Sequence, residues 1–370
     1  MKYKILFFSH LFLFFIGIST PFAQLPNSSF YSNYKDYPYD SGSVDLKIDV
    51  LGFNKNNEYF NRIADGYTLF GNQINATALF SVRKNMQLEG GLYLRDDFGA
   101  SGVQDIQPVF TLRTHYMGAE LNFGAIRGSV DHRLIEPLYN FEHYLTDRIE
   151  NGIQFRKASK NEFFDLWLEW ETMIYRGENK QEEVIGGLSW AKQWGDHFSF
   201  PLQVVVYHKG GQIDSSPNPL TTVLNATLGV SRMDSLGRFK LENSAYFVFH
   251  KDFSRSGVLE YDFGSGLYFN TMLRMPKDLN LMLSYWKGST YNSVYGGFLY
   301  ESISSTFKYP DYREPDRQLI ILRLMHDLSL AKGIVLSTRI EPHINLNTGQ
   351  FEFYNAIYLR FNDIYSLFKK

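Results

Sequence analysis

Read two residues at a time, most of this chain separates into an apolar series and a polar one. Between Phe163 and Ile174, the residues Phe164, Leu166, Leu168, Trp170 and Ile174 alternate with Asp165, Trp167, Glu169, Glu171 and Met173. A helix would gather Phe163, Trp167, Trp170 and Ile174 on one stripe but strand Leu166 and Leu168 off it. The same period of two recurs along the chain, which decides for strands. Val44, Leu46, Ile48 and Val50 alternate with Asp45, Lys47 and Asp49, and Leu279, Leu281 and Leu283 with Asn280 and Ser284. Near the end, Phe351, Phe353, Ile357, Leu359 and Phe361 alternate with Glu352, Tyr354, Tyr358 and Arg360. About sixteen such segments, within a range of roughly 14–18, can be counted. They begin near residues 43, 73, 86, 107, 119, 151, 162, 183, 197, 220, 238, 257, 278, 317, 333 and 350. Two depart from the pattern: Gln318 to Leu328 is apolar in both series, and Asn243 falls in the apolar series of its segment.

The connections alternate as well. Short ones such as "RKN", "MG", "ASKN", "QWGD" and "LAKG" alternate with long ones such as Gly128 to Arg148 and Gly288 to Asp316. Short turns on one side and long loops on the other are the pattern of a transmembrane antiparallel β-barrel with both termini in the periplasm. A soluble sandwich or propeller also alternates, but it lacks this asymmetry between its two ends. A membrane accounts for the two series directly: lipid wets the apolar one, and the lumen takes the charged one. Sixteen strands at about 4.8 Å spacing and ~40° tilt give a backbone radius of about 16 Å, leaving a channel of order 10 Å in radius unless loops fill it. The expected fold class is therefore all-β, a transmembrane barrel of about sixteen strands.

Composition sharpens this picture. "MKYKILFFSHLFLFFIGISTPFAQ" has Lys2 and Lys4, an apolar run and small residues up to Ala23, the layout of a secretory signal peptide. The expected organisation is signal peptide 1–23, periplasmic tail 24–42, barrel 43–362 and C-terminal tail 363–370. Lys+Arg 37 against Asp+Glu 39 gives no long-range attraction to nucleic acid. Cys 0 excludes disulfides, thiolate metal sites, a cysteine nucleophile and a lipoprotein anchor.

From about Val44 to Phe361 the pattern resembles the Gram-negative outer-membrane porins. Their strand chain commonly ends on an aromatic residue, as "IYLRF" does here at Phe361, with "NDIYSLFKK" following. The aromatic richness and the "FAQ" junction are similar to outer-membrane proteins of the Bacteroidota. The resemblance implies an outer-membrane location and a porin-like channel for passive or weakly selective diffusion of small polar solutes. The alternative is a closed barrel subunit of an export or surface-assembly complex.

The expected lumen-lining residues are Arg113, His115, Glu169, Glu171, Arg323, Arg339 and Glu341, a set of mixed sign that would orient polar solutes. The long loop "GSVDHRLIEPLYNFEHYLTDR" carries more apolar residues than a solvated loop needs. It is expected to fold inward, bringing Asp131, Glu136, Glu142 and His143 toward the basic wall. Standard porins have a constricting loop at the same place. The Tyr- and Ser-rich loop Gly288 to Asp316 reads instead as a surface cover. The inward aromatics Tyr93, Trp167, Tyr268, Trp286, Tyr354 and Tyr358 make saccharides candidate solutes, although their scatter around the circumference favours packing among themselves. The polar tail "QLPNSSFYSNYKDYPYDSGS" reads foremost as a plain linker, with engagement of a periplasmic partner or a place in the lumen as the alternatives. His208 and His250 fall near outer strand ends with no serine relay visible beside them, and no spacing gives a metal signature. The chain is accordingly expected not to be an enzyme and to need no cofactor. Its expected partners are membrane lipid, small solutes and other outer-membrane proteins.

Overall fold

The computed structural model describes residues 27–254 and 259–369, so the expected signal peptide lies outside the described residues. The strands are Val44–Glu58 (β1), Thr68–Arg83 (β2), Met86–Asp97 (β3), Asp105–Tyr116 (β4), Ala119–Ala125 (β5), Asn151–Ala158 (β6), Glu162–Thr172 (β7) and Glu183–Trp194 (β8). Phe198–Lys209 (β9), Thr221–Leu236 (β10), Phe239–Asp252 (β11), Phe263–Met275 (β12), Leu279–Ser289 (β13), Asp316–Ala331 (β14), Ile334–Asn345 (β15) and Phe351–Phe368 (β16) complete them. Each pairs antiparallel with its sequence neighbours, and β1 closes the ring on β16, as the alternating segments foretell. β16 runs past the boundary at 362 because the start of β1 still needs a partner, and Val44 pairs with Phe368.

Facing follows the two series. Leu166, Leu168 and Trp170 are exposed on the outside, while Asp165, Trp167 and Glu169 are buried within. Asn243 points outward, where its side-chain oxygen accepts the Thr271 hydroxyl across the strand pair at 3.0 Å. The doubly apolar stretch of β14 also resolves. Leu322 and Leu324 face lipid, and Leu319 and Ile321 face an apolar core inside the barrel.

Three segments occupy the lumen, two of them building that core and one joining a second apolar cluster. The first is a strap, residues 126–150, between the short strands β5 and β6. It leaves β5 at Gly124, whose φ is +103° and where a Cβ would sit 2.1 Å from the Phe110 carbonyl, so only glycine fits. Leu134, Ile135, Leu138 and Tyr139 of the strap are buried against Trp167, Val205, Val248 and Ile321 of the wall. The second segment follows β13. It was expected to be a surface cover, but Tyr291, Tyr295, Leu299 and Tyr300 are buried in the same core. Their ring area outweighs the polar residues between them, and two of the hydroxyls find acceptors: Tyr291 Oη donates to the Pro137 carbonyl at 2.8 Å and Tyr300 Oη to Glu136 at 2.7 Å. The two segments interlock through backbone hydrogen bonds, Asn140 N–H to Tyr295 O and Gly297 N–H to Glu136 O. The third is the N-terminal tail, which enters from the periplasmic end and buries Phe30 against Phe141, Tyr144 and Tyr358.

His132 pins the strap to the wall. Its ring meets Asp165 of β7 at 2.9 Å and Glu150 at 2.7 Å, and it stacks on Trp167 at 3.7 Å. Burial alone would lower its pKa, but the two carboxylates outweigh that effect and hold it up at about 9. A group raised in the folded state stabilises fully below its unfolded pKa, and that contribution disappears as pH rises through the folded value.

Two outcomes are expected. Leu168→Arg puts a charge against lipid and should cost ~2–4 kcal/mol in a bilayer folding titration if Leu168 lies near the midplane. Thermal unfolding of the folded band should show up to about 3 kcal/mol of stability lost between pH 7 and 10, and His132→Gln should flatten that profile.

Candidate functional site

Two regions carry the chemistry, the lumen and the outward wall. In the lumen, charges are gathered into ion-pair groups rather than lining a free passage. Arg323 of β14 binds Glu136 of the strap at 2.5 Å and also pairs with Glu341 of β15. Tyr268 and Tyr300 both donate hydroxyls to Glu136, at 2.8 and 2.7 Å. Glu142 meets Lys55 at 2.5 Å and Asn57 at 2.8 Å. Burial would raise its pKa, but Lys55 and the hydrogen bonds reverse this and hold it low. Such buried pairs survive because each charge is matched and hydrogen-bonded on removal from water.

The remaining candidates are distributed around this plug. Arg113 is buried, bonded to Asn122 at 3.0 Å and Gln87 at 3.1 Å, with Glu89 and Glu120 at 3.4 and 3.7 Å. His115 lies against the tail: Tyr37 stacks on it at 4.4 Å, and the Tyr39 hydroxyl is 3.0 Å from its Nε2. Arg339 donates to Asn27 Oδ1 at 2.7 Å and lies over the Phe30 ring at 4.8 Å. Asp131 accepts the Ser32 N–H at 3.4 Å. His143 stacks on Tyr295 at 4.3 Å, and burial lowers its pKa. Glu169 is buried on the inner face of β7, with Glu171 partly buried one turn of the pleat nearer the outside. The inward aromatics are covered: His132 caps Trp167, Tyr300 packs on Tyr268 and Trp286, and Phe30 packs on Tyr358. A cavity of about 490 Å³ opens at the periplasmic mouth, lined by Ser28, Arg238, Lys240, Arg274 and Asp327 among others.

The outward wall holds a second constellation. His208 belongs to the lipid-facing series of β9, near its extracellular end. In register beside it are Val184 of β8 and Thr222 of β10. His208 Nδ1 and Thr222 Oγ1 are 2.9 Å apart, hydrogen-bond distance. The Thr222 N–H donates to Ser254 Oγ at 2.9 Å, which brings a second hydroxyl to the same spot. Lys251, two residues inward from Phe253 on β11, pairs with Leu224 and adds a cation to this face. Among the described histidines, His208 combines an outward face with a place in the extracellular half of the wall. Sequence reasoning found His208 but not its partner, which lies across the loop 210–220. The available signal was the hairpin register, since positions equidistant from that loop pair.

Solved structures share the fold, three outer-membrane proteins among them. A loop L8 deletion mutant of OmpT, an outer membrane protein of Vibrio cholerae, is 12% identical with a TM-score of 0.55, covering 88% of this chain and 100% of its own. The outer membrane protein opdK of Pseudomonas aeruginosa is 8% identical with a TM-score of 0.53, covering 88% and 100%. An anion-selective porin from Comamonas acidovorans is 12% identical with a TM-score of 0.52, covering 87% and 99%. No curated protein matches the sequence. The protein is an outer-membrane β-barrel. The family model described as lipid A 3′-O-deacylase-type matches residues 36–370. This match overturns the expectation that the chain is not an enzyme, because the family is described by an ester-cleaving activity, which alternating hydrophobicity has no means of registering. The match begins in the periplasmic tail and takes in every strand of the barrel, and on that extent the chain belongs to the lipid A 3′-O-deacylase-type family.

Proposed function

We propose that this protein is an acyl-ester hydrolase of the outer leaflet, acting on a lipid A-type glycolipid at the membrane-facing wall. The observation that carries this reading is the hydrogen bond between His208 and Thr222 on an outward face near the extracellular rim. A hydroxyl within reach of an imidazole is the minimal arrangement for nucleophilic ester cleavage. Family membership supports the substrate class.

The chemistry needs only these two side chains and water. Thr222 Oγ1 attacks the ester carbonyl carbon, and its proton passes to His208 Nδ1. As the C–O bond breaks, His208 returns that proton to the departing alkoxide. A water molecule then attacks the acyl-threonine, again losing its proton to His208, and the fatty acid leaves as Thr222 regains its hydroxyl. Val184 and Leu224 flank the pair with apolar surface suited to an acyl chain, and Lys251 offers a cation to a headgroup phosphate. With its interior packed, the barrel would act as a stiff frame holding β9 against β10.

A second reading is passage of small polar solutes, saccharides included, through the lumen. The charged inner wall and the cavity of about 490 Å³ at the periplasmic mouth favour it. Passage would require the inward segments to move.

Purified protein incubated with micellar lipid A should release one fatty acid per molecule, read as a mass loss. His208→Ala and Thr222→Val should each slow release by about 10²-fold or more while the barrel stays folded. Unchanged release in both variants would remove this site from the reaction.

A further inference from the structure

The N-terminal tail lies in the lumen on a file of cations. Tyr34 is surrounded by three of them: Arg127 at 3.6 Å from the ring centroid, Arg113 at 4.6 Å and Lys47 at 5.3 Å. Arg133 lies over Tyr31 at 5.7 Å, and Arg339 over Phe30 at 4.8 Å. Arg360 donates to the carbonyl oxygens of Ser29 and Tyr31, at 2.7 and 2.9 Å. The tail answers these groups with neutral acceptors and ring faces, which attract cations by their quadrupole. Its own charged contact is Lys35 on Asp45 at 2.5 Å.

Two carboxylates on this track meet the tail itself, Asp131 through the Ser32 N–H and Asp45 through Lys35, and three more are already committed to the cations. Glu89 is shared by Lys47 and Arg113, Glu120 by Arg113 and Arg127, and Asp49 by Arg148 and Arg360. With each of these acids divided between two bases, the excess donor capacity belongs to the cations. The carbonyls and rings of the tail stand where the oxygens of an anion would otherwise stand. Withdrawing the tail would leave cations facing water along the inner surface of β1, β4, β15 and β16.

We propose that residues 27–39 are a plug seated in an anion path, and that displacing them toward the periplasm opens the barrel to small carboxylates and phosphate esters. This rests on the second reading above, that the lumen can conduct, and it is independent of the hydrolase site. The anchoring suits withdrawal. The segment enters at the periplasmic rim, where the Tyr39 N–H bonds the Lys84 carbonyl in the β2–β3 turn. Its holding contacts are hydrogen bonds, ring faces and the one ion pair of Lys35 with Asp45, with no strand pairing to break.

The test is single-channel recording in planar bilayers under a chloride salt gradient, with folding checked by the heat-modifiable band. The full chain should be silent or flicker rarely. A chain lacking residues 27–39 should give stable ohmic steps with an anion-selective reversal potential, and added inorganic phosphate should reduce the chloride current. Arg113→Glu with Arg127→Glu in that background should reverse the selectivity. The full-length double variant Phe30→Ala, Tyr34→Ala keeps the tail but removes its ring contacts, and it should open intermittently with the same selectivity. Folded variants that stay silent would overturn the lumenal reading itself. Stable steps with cation selectivity would overturn the anion path alone.

Discussion

A strand in hydrocarbon has no water to satisfy its backbone, so every amide must find its partner in another strand. In this protein the pairing of β1 with β16 meets that demand. The seam runs from Val44 opposite Phe368 to Glu58 opposite Phe353, so two ends of the chain far apart in sequence become neighbours. Once the ring is closed, the outside must be apolar, the inside is free to be charged, and the enclosed volume is set by the strand number.

That volume is larger than the wall side chains can fill. The chain fills it with its own strap, the segment after β13 and the N-terminal tail. The filling is held by two kinds of contact. Apolar side chains such as Leu138 and Trp286 form a buried core within the ring. Buried ion pairs tie segments together, as with His132 between Glu150 and Asp165, or Glu136 on Arg323. The result is a barrel of porin architecture with an interior closer to that of a globular domain. An outward site such as His208 with Thr222 would then sit on a wall braced from within. The lumen and the membrane face offer separate chemistries on one scaffold, because alternate residues of each strand belong to different solvents.

The strands were legible in the sequence because a period of two is a local property: Leu166, Asp165 and their neighbours report their own surroundings. The strand number, the closed ring and the outer-membrane location follow from that pattern with its alternating loop lengths. The contents of the lumen were legible only in part. The strap announced itself through Leu134, Leu138 and Tyr139, which no solvated loop needs. The segment after β13 did not, since its tyrosines are compatible with water until a packing partner is known. The apolar inner face of β14 was visible as an anomaly in the sequence, and only Leu319 and Ile321 against the core explained it.

The sequence by itself determined which residues face lipid and which face inward, because side-chain direction in a strand is fixed by backbone geometry alone. Tertiary structure decided which inward and outward residues meet. Arg323 finds Glu136, Tyr34 finds Arg127, and His208 finds Thr222 through hairpin register or loop trajectory, and those distances depend on the whole closed ring rather than on any one segment.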